Sequence, residues 1–215
     1  MSSVRRSEDA PARAPLALVA IALISGGLAV GILFGGFSRN GHHGAGAKAA
    51  GLNAERLPAG LDGSAAPSFR LRDGRGGIVD TRALRGRPYA LTFLYTHCPD
   101  VCPALADDLR DALRGTNAAA VAVSVDPRGD TPSAVRAFAR VHRLPIDFHY
   151  AIGDRAALAP VWQAYFAAPQ SGRADVSAHT AAVWLVDARG RLRAMYAGAA
   201  PIDPADLAHD LRALR

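Results

Sequence analysis

Near its start the chain carries an unbroken apolar stretch, Ala14 to Ser38, with no charged side chain in 25 residues. At about 1.5 Å of rise per residue it is long enough to cross a hydrocarbon layer roughly 30 Å thick. A cleaved secretory signal would have a shorter apolar core, about 7 to 15 residues. The stretch is therefore read as one uncleaved transmembrane helix over 14–38, behind a tail over 1–13. Arg5, Arg6 and Arg13 precede it, and Arg39 and Lys48 follow. That positive-inside bias predicts a cytoplasmic N-terminus and a single-pass protein of the inner membrane whose remainder faces the periplasm. Residues 39–65 are rich in Gly, Ala and Ser without apolar periodicity, which predicts a flexible tether. His42 and His43 lie within it and are read as solvated linker residues.

From residue 66 to 215 the pattern changes to short apolar runs alternating with helical spacing. SFRLRD and GGIVDT predict a hairpin, with Asp73-Gly74 and Gly76-Gly77 as turn signals. PYALTFLYT, residues 88–96, reads as a buried strand that ends at Cys98. Leu105, Leu109 and Leu113 share one helical face, predicting a helix over 103–113, and residues 119–126 read as a second apolar strand. Thr131-Pro132 opens a helix that runs to about His142. A strand near Phe148, a helix from Asp154 to about Phe166, strands over 181–186 and 192–196, and a final helix from Asp203-Pro204 complete the order. Leu158, Trp162, Tyr165 and Phe166 are expected to face the core. Strands alternating with helices, ending on two adjacent strands, predict an α/β domain with a mixed central sheet and flanking helices.

Charge changes this picture little. The net charge is +6, and +3 of it belongs to the first 50 residues, around the apolar stretch. In the rest, arginines are spread singly without aromatic interleaving, which argues against a nucleic-acid surface. No Gly-rich string stands in a strand-to-helix context, so nucleotide binding is not expected.

The two cysteines change it most. Cys98 and Cys102 are the only ones in the chain, too few for a disulfide scaffold, and they sit where a buried strand turns into a helix. Four residues apart on a first helical turn, their side chains share a face, and the helix N-terminus favours thiolate there. Such a pair can close a disulfide, ligate a metal, or attack a disulfide or peroxide. Three intervening residues, Pro99, Asp100 and Val101, make a wider loop than the two of thioredoxin-type redox pairs, compatible with both sulfurs gripping one ion. His97 is read as packing or hydrogen bonding, pointing away from its neighbour. Asp126 and Asp130 are read as a turn and cap, with an acidic docking lip as the alternative, and Asp107, Asp108 and Asp111 as a solvated helix face. His142, His149 and His209 are read as surface or boundary residues.

HCPDVCP within LYTHCPDVCP resembles the signature of the Sco/SenC family, membrane-tethered thioredoxin-like copper proteins that assist cytochrome c oxidase assembly. VSVDPRGDTP (123–132) and SAHTAAVWLVDARGRL (177–192) resemble two further blocks of that family, in the same order. The resemblance spans about residues 66–214. It implies a thioredoxin-like fold and a copper site of Cys98, Cys102 and His179. Two soft thiolates suit Cu(I), and a nitrogen donor makes Cu(II) tolerable. It implies a metallochaperone rather than an enzyme, with the copper-accepting subunit of cytochrome c oxidase, at its dinuclear copper centre, as partner and a copper donor protein upstream. The alternative is a thiol-disulfide oxidoreductase acting on the oxidase's cysteines; a weaker one is a peroxidase-like enzyme, suggested by Thr96 before Cys98. Two positions depart from the family pattern: Ala178 stands where an acidic residue usually precedes the histidine, and Gly129 where an arginine usually precedes Asp130.

Overall fold

The computed structural model describes residues 47–167, 182–198 and 201–215. The apolar stretch 14–38, His42, His43, Ala178 and His179 lie outside them. Among the described residues no helix is long and apolar enough to cross a membrane.

Among the described residues seven strands form one sheet. In chain order they are β1 (Arg70–Asp73), β2 (Ile78–Asp80), β3 (Tyr89–Leu94), β4 (Ala119–Ser124), β5 (Phe148–Ile152), β6 (Val183–Val186) and β7 (Leu192–Tyr196). The spatial order is β2-β1-β5-β4-β3-β6-β7. β3, β4 and β5 run parallel at the centre, and β1, β6 and β7 are antiparallel to their neighbours, so the sheet is mixed, as the element order predicts. Every residue of β3 and β4 is buried, which is why these two strands read as continuous apolar runs rather than alternating ones. The parallel strands end together, and the chain carries its chemistry at that end.

Among the described residues there are four α-helices, three between strands and one after β7: α1 (Val101–Leu113), α2 (Pro132–Val141), α3 (Arg155–Ala164) and α4 (Pro204–Ala213). Three are capped as their sequences predict. The Thr131, Asp154 and Asp203 side chains accept from the backbone N–H of Ala134, Ala157 and Ala205, an arrangement worth about 1 kcal/mol per helix. α1 begins two residues before the expected Pro103, placing proline in the first turn, where its missing N–H would have no partner anyway.

Two further expectations differ from the structure. Residues 47–65, read from composition as part of a flexible tether, lie packed along the outer edge of β7. Glu55 exchanges two backbone hydrogen bonds with Met195, and the Gly63 and Ala66 N–H groups donate to the Leu192 and Gly190 carbonyls. Ala54 and Leu57 are buried in the core. Small residues lack apolar periodicity, yet they fit closely against an edge strand and close it to further pairing. The second difference is Phe166. Leu158, Trp162 and Tyr165 are buried, whereas Phe166 is 70% exposed. α3 ends at Ala164, and Phe166 has a left-handed φ of 56°, which turns its ring off the helical face that buries the others.

Candidate metal centre

Beyond Leu94 the chain leaves the sheet through Tyr95, Thr96 and His97, reaches Cys98 in a turn, and enters α1 so that Cys102 is its second residue. Both cysteines are free thiols in buried positions, 6% and 3% exposed. The Asp100 side chain stands at the cap position of α1 but makes no bond to the helix. The Cys98 sulfur takes that place: the Cys102 N–H donates to Cys98 Sγ at 3.4 Å. A helix N-terminus therefore points an otherwise unpartnered N–H at one sulfur, and its dipole favours negative charge there.

The two thiols are unequal. Burial pushes the Cys98 thiol up, but hydrogen bonds from the Cys102 thiol, the Asp100 and Cys102 amides and the Tyr95 hydroxyl outweigh it and hold the net value below the ordinary 9.0. Cys102 goes the other way, raised well above 9.0 by burial and then by its bond to the Cys98 sulfur. The Tyr95 hydroxyl is itself pushed up to about 12, by burial and by its bond to Cys98, so it remains a donor. The two thiols are thus graded: Cys98 is the sulfur that gives up its proton more readily, and Cys102 the one that keeps it.

Asp130 holds the floor of the site. It is 4% exposed. One carboxylate oxygen accepts from the Thr96 N–H and hydroxyl, both at 2.8 Å; the other accepts from the Ser124 hydroxyl at 2.6 Å and the Tyr150 hydroxyl at 3.2 Å. The end of β4, the middle of β5 and Thr96, two residues before Cys98, are thus tied to one side chain. Burial raises the Asp130 pKa despite these four donors. Asp130 is neither the helix cap, which is Thr131, nor part of an acidic lip. Asp126 is the turn former: its Oδ1 accepts from the Arg128 and Gly129 amides. A Cβ at Gly129 would collide with Asp126 Oδ2, so the carboxylate occupies the space a side chain would need.

The remaining candidates fall as follows. His97 is exposed, and its Nδ1 meets the Thr96 hydroxyl at 3.1 Å, the hydrogen-bonding role expected of it. Asp107 and Asp111 pair with Arg110, Asp107 also meets His142, and Asp108 accepts from the Ile202 amide, so the acidic face of α1 is tied to its neighbours rather than merely solvated. His149 bonds Asp73, and His209 bonds Asp210. A shallow cleft of about 270 Å³ opens beside the cysteines, lined by Thr96, His97, Pro103, Phe138, Val141 and His142 among others. Among the described residues no third His, Cys, Asp or Glu completes a cluster able to hold a metal. Tyr95 and Asp130 are the two residues that sequence reasoning did not assign to the site. Their signal is positional: one ends the strand leading to Cys98, the other stands in the D-T-P turn at the end of the neighbouring strand.

With this geometry in hand, the comparisons are specific. The sequence profile of the SCO1/SenC family matches residues 60–215. A SCO1 protein homolog of Bacillus subtilis is 29% identical over 85 residues, which are 37% of this chain and 43% of that protein. The mitochondrial SCO2 homolog of Bos taurus is 27% identical over 147 residues, 61% of this chain and 53% of that one. The chain thus spans about half the length of these curated relatives. Among solved structures, copper-bound ScoI of Bradyrhizobium japonicum is similar with a TM-score of 0.60 and 29% identity, covering 71% of this chain and 100% of that chain. BsSco, described as a Sco-family cytochrome c oxidase assembly protein with a disulfide switch, has a TM-score of 0.61 at 20% identity, covering 74% and 98%; at that identity it speaks for the fold alone.

Proposed function

The chain belongs to the SCO1/SenC family, and from that premise we propose that it is a membrane-anchored copper metallochaperone. Cys98, Cys102 and His179 bind one copper ion for transfer to the dinuclear copper centre of cytochrome c oxidase. The observation that carries this reading is the pair of free, buried thiols on one helix N-terminus, with a helix N–H donating to the Cys98 sulfur and its pKa lowered. That donor set fits a soft ion. Copper is cargo, so the site must load and unload. Cys98 offers a thiolate to the incoming ion, Cys102 gives up its proton to become the second ligand, and return of that proton favours release. Two thiolates and a neutral imidazole leave bound Cu(I) with a local charge of −1 and bound Cu(II) neutral, so neither state is strongly disfavoured. The copper-bound relative at 29% identity supports the choice of metal. The apolar stretch 14–38 supports anchoring, with the domain on the periplasmic side.

The test is anaerobic reconstitution of the full chain with copper, followed by elemental analysis. One copper per chain is expected, with loss of binding in Cys98→Ser and Cys102→Ser and greatly weakened retention in His179→Ala. Unchanged stoichiometry and affinity in His179→Ala would remove that residue from the site, and unchanged binding in the cysteine variants would overturn the reading.

The inequality of the thiols also favours a second activity. Cys98 thiolate attacks a disulfide of the oxidase subunit, forming a mixed disulfide and expelling one thiolate. Cys102 then resolves it, so the chain's dithiol becomes a disulfide while the substrate's two sulfurs leave as thiols. Reduction of such a disulfide by wild-type chain but not by Cys98→Ser tests this role separately.

A further inference from the structure

The sequence scatters its arginines singly; the fold gathers five of them at the end of the sheet opposite Cys98. The Gly86 N–H donates to the Ala188 carbonyl at 2.8 Å, and the Ala188 N–H to the Leu214 carbonyl at 3.0 Å. Those two bonds bring Arg85, Arg189 and Arg215, each one residue along from a bonded position, from three separate segments to one place. A Cβ built on Gly190 would lie 3.7 Å from the Arg85 Nε, which fixes Arg85 over the β6–β7 turn. Arg82 stands in the short 3-10 turn Thr81–Leu84 just before Arg85, and Arg212 in the last turn of α4. All five side chains are exposed, and none forms an ion pair among the described residues. The side-chain carboxylates at this end are engaged elsewhere, and the α-carboxylate of Arg215 is one negative charge beside five guanidiniums. Asp187 is buried and accepts from the Arg189 and Arg191 amides and from Arg193. Asp147 pairs with Arg87, and Asp80 caps the 3-10 turn and faces Arg70.

We propose that this arginine face is a docking surface for an anionic phospholipid bilayer, which it meets with the thiol end turned away from the lipid. The inference rests on the anchored reading for its choice of partner. Residues 39–46 are all that separate the apolar stretch from the packed segment beginning at Ala47, and fully extended they reach at most about 30 Å. A surface of five guanidiniums without side-chain counter-charges, kept that near a bilayer, meets phosphate headgroups, which guanidinium forks bind well. Each arginine close to an anionic surface strengthens the attraction roughly fivefold, and the effect is screened by salt. Turning this face to lipid leaves Cys98 and Cys102 on the side open to a partner protein.

The experiment is hydrogen–deuterium exchange on the full chain in phosphatidylglycerol nanodiscs and in phosphatidylcholine nanodiscs, with the double variant Arg85→Glu/Arg189→Glu alongside. The expected result is slower exchange at residues 81–87, 187–191 and 211–215 in the anionic discs only. That protection is lost in high salt and in the variant, while strand-core exchange and copper uptake stay unchanged. Equal exchange in both lipids, or protection that survives charge reversal, overturns the proposal. If the chain is not retained by nanodiscs at all, the anchored reading fails on its own. The face is then tested by adding the same chain to preformed phosphatidylglycerol vesicles, where salt-sensitive cosedimentation missing from the variant supports it and no cosedimentation overturns it.

Discussion

Cys98 and Cys102 are chemically distinct although four residues apart, and the distinction comes from which donors reach each sulfur. Cys98 receives a helix amide and the Tyr95 hydroxyl, whereas Cys102 is buried against Cys98 and keeps its proton. Copper competes with protons for both sulfurs, so its apparent affinity must depend on pH in two regimes. Below the lowered Cys98 value, binding displaces two thiol protons, and log affinity climbs with a slope of about two per pH unit. Above it, and still below the raised Cys102 value, only one proton leaves and the slope falls to about one. Tyr95→Phe removes a donor to the thiolate, so the break between regimes moves to higher pH. Competition against a Cu(I) chelator across neutral to alkaline pH reads both effects, and a single slope throughout would show that the thiols are not split in this way. The pair itself was legible in the sequence, because two cysteines at a strand-to-helix junction have few other uses. Tyr95 and Asp130 were not, because their roles depend on which neighbours the strands bring to them. Ser124 at the end of β4, Tyr150 in the middle of β5 and Thr96 just beyond β3 meet Asp130, and nothing local in the DPRGD run says which of its carboxylates turns inward.

At the scale of elements, the start of α1 joins folding to metal binding through one atom. Its cap is a sulfur rather than the oxygen that Thr or Asp supplies to α2, α3 and α4. Removing that sulfur should therefore destabilise the metal-free protein as well as abolish binding. Cys98→Ala is expected to lower stability by about 1 kcal/mol through loss of the cap. Cys98→Ser, whose hydroxyl caps well, should lose far less while still failing to hold copper. Urea unfolding of the two variants under reducing conditions makes the comparison, and equal stability would mean the Cys102 amide is satisfied some other way. Nearly all elements were readable from periodicity and caps, since β3 and β4 are buried on both faces and three helices open on side-chain caps. The start of α1 was placed too late because Pro103 looks like a first helical residue, while the helix begins at Val101 with proline in its first turn.

For the whole molecule, composition was the poorer guide, and residues 47–65 show why. Gly, Ala and Ser dominate this stretch and suggest a loose tether, yet one buried carboxylate holds it in place. Asp210 on α4 has no exposed surface and accepts from the Asn53 and Ala54 amides and from the Tyr196 hydroxyl, each at 2.8 Å. That clamp joins α4 and β7 to the incoming chain, and the backbone pairing of Glu55 with Met195 continues it along the sheet edge. Packing of this kind is invisible to periodicity because it relies on backbone donors that every residue carries. Asp210→Ala should leave the buried Ala54 amide and the part-buried Asn53 amide and Tyr196 hydroxyl without an acceptor, a loss of about 2 to 4 kcal/mol. Tyr196→Phe removes only one donor to the same carboxylate and should cost about 1 kcal/mol. Chemical denaturation measures both, and protease accessibility of residues 47–65 in the native state reports where the loss falls. Early cleavage within that stretch in Asp210→Ala, with copper binding retained, is the expected pattern. If Asp210→Ala proves no more destabilising than Tyr196→Phe, the stretch is held by its apolar contacts at Ala54 and Leu57 and not by the buried charge.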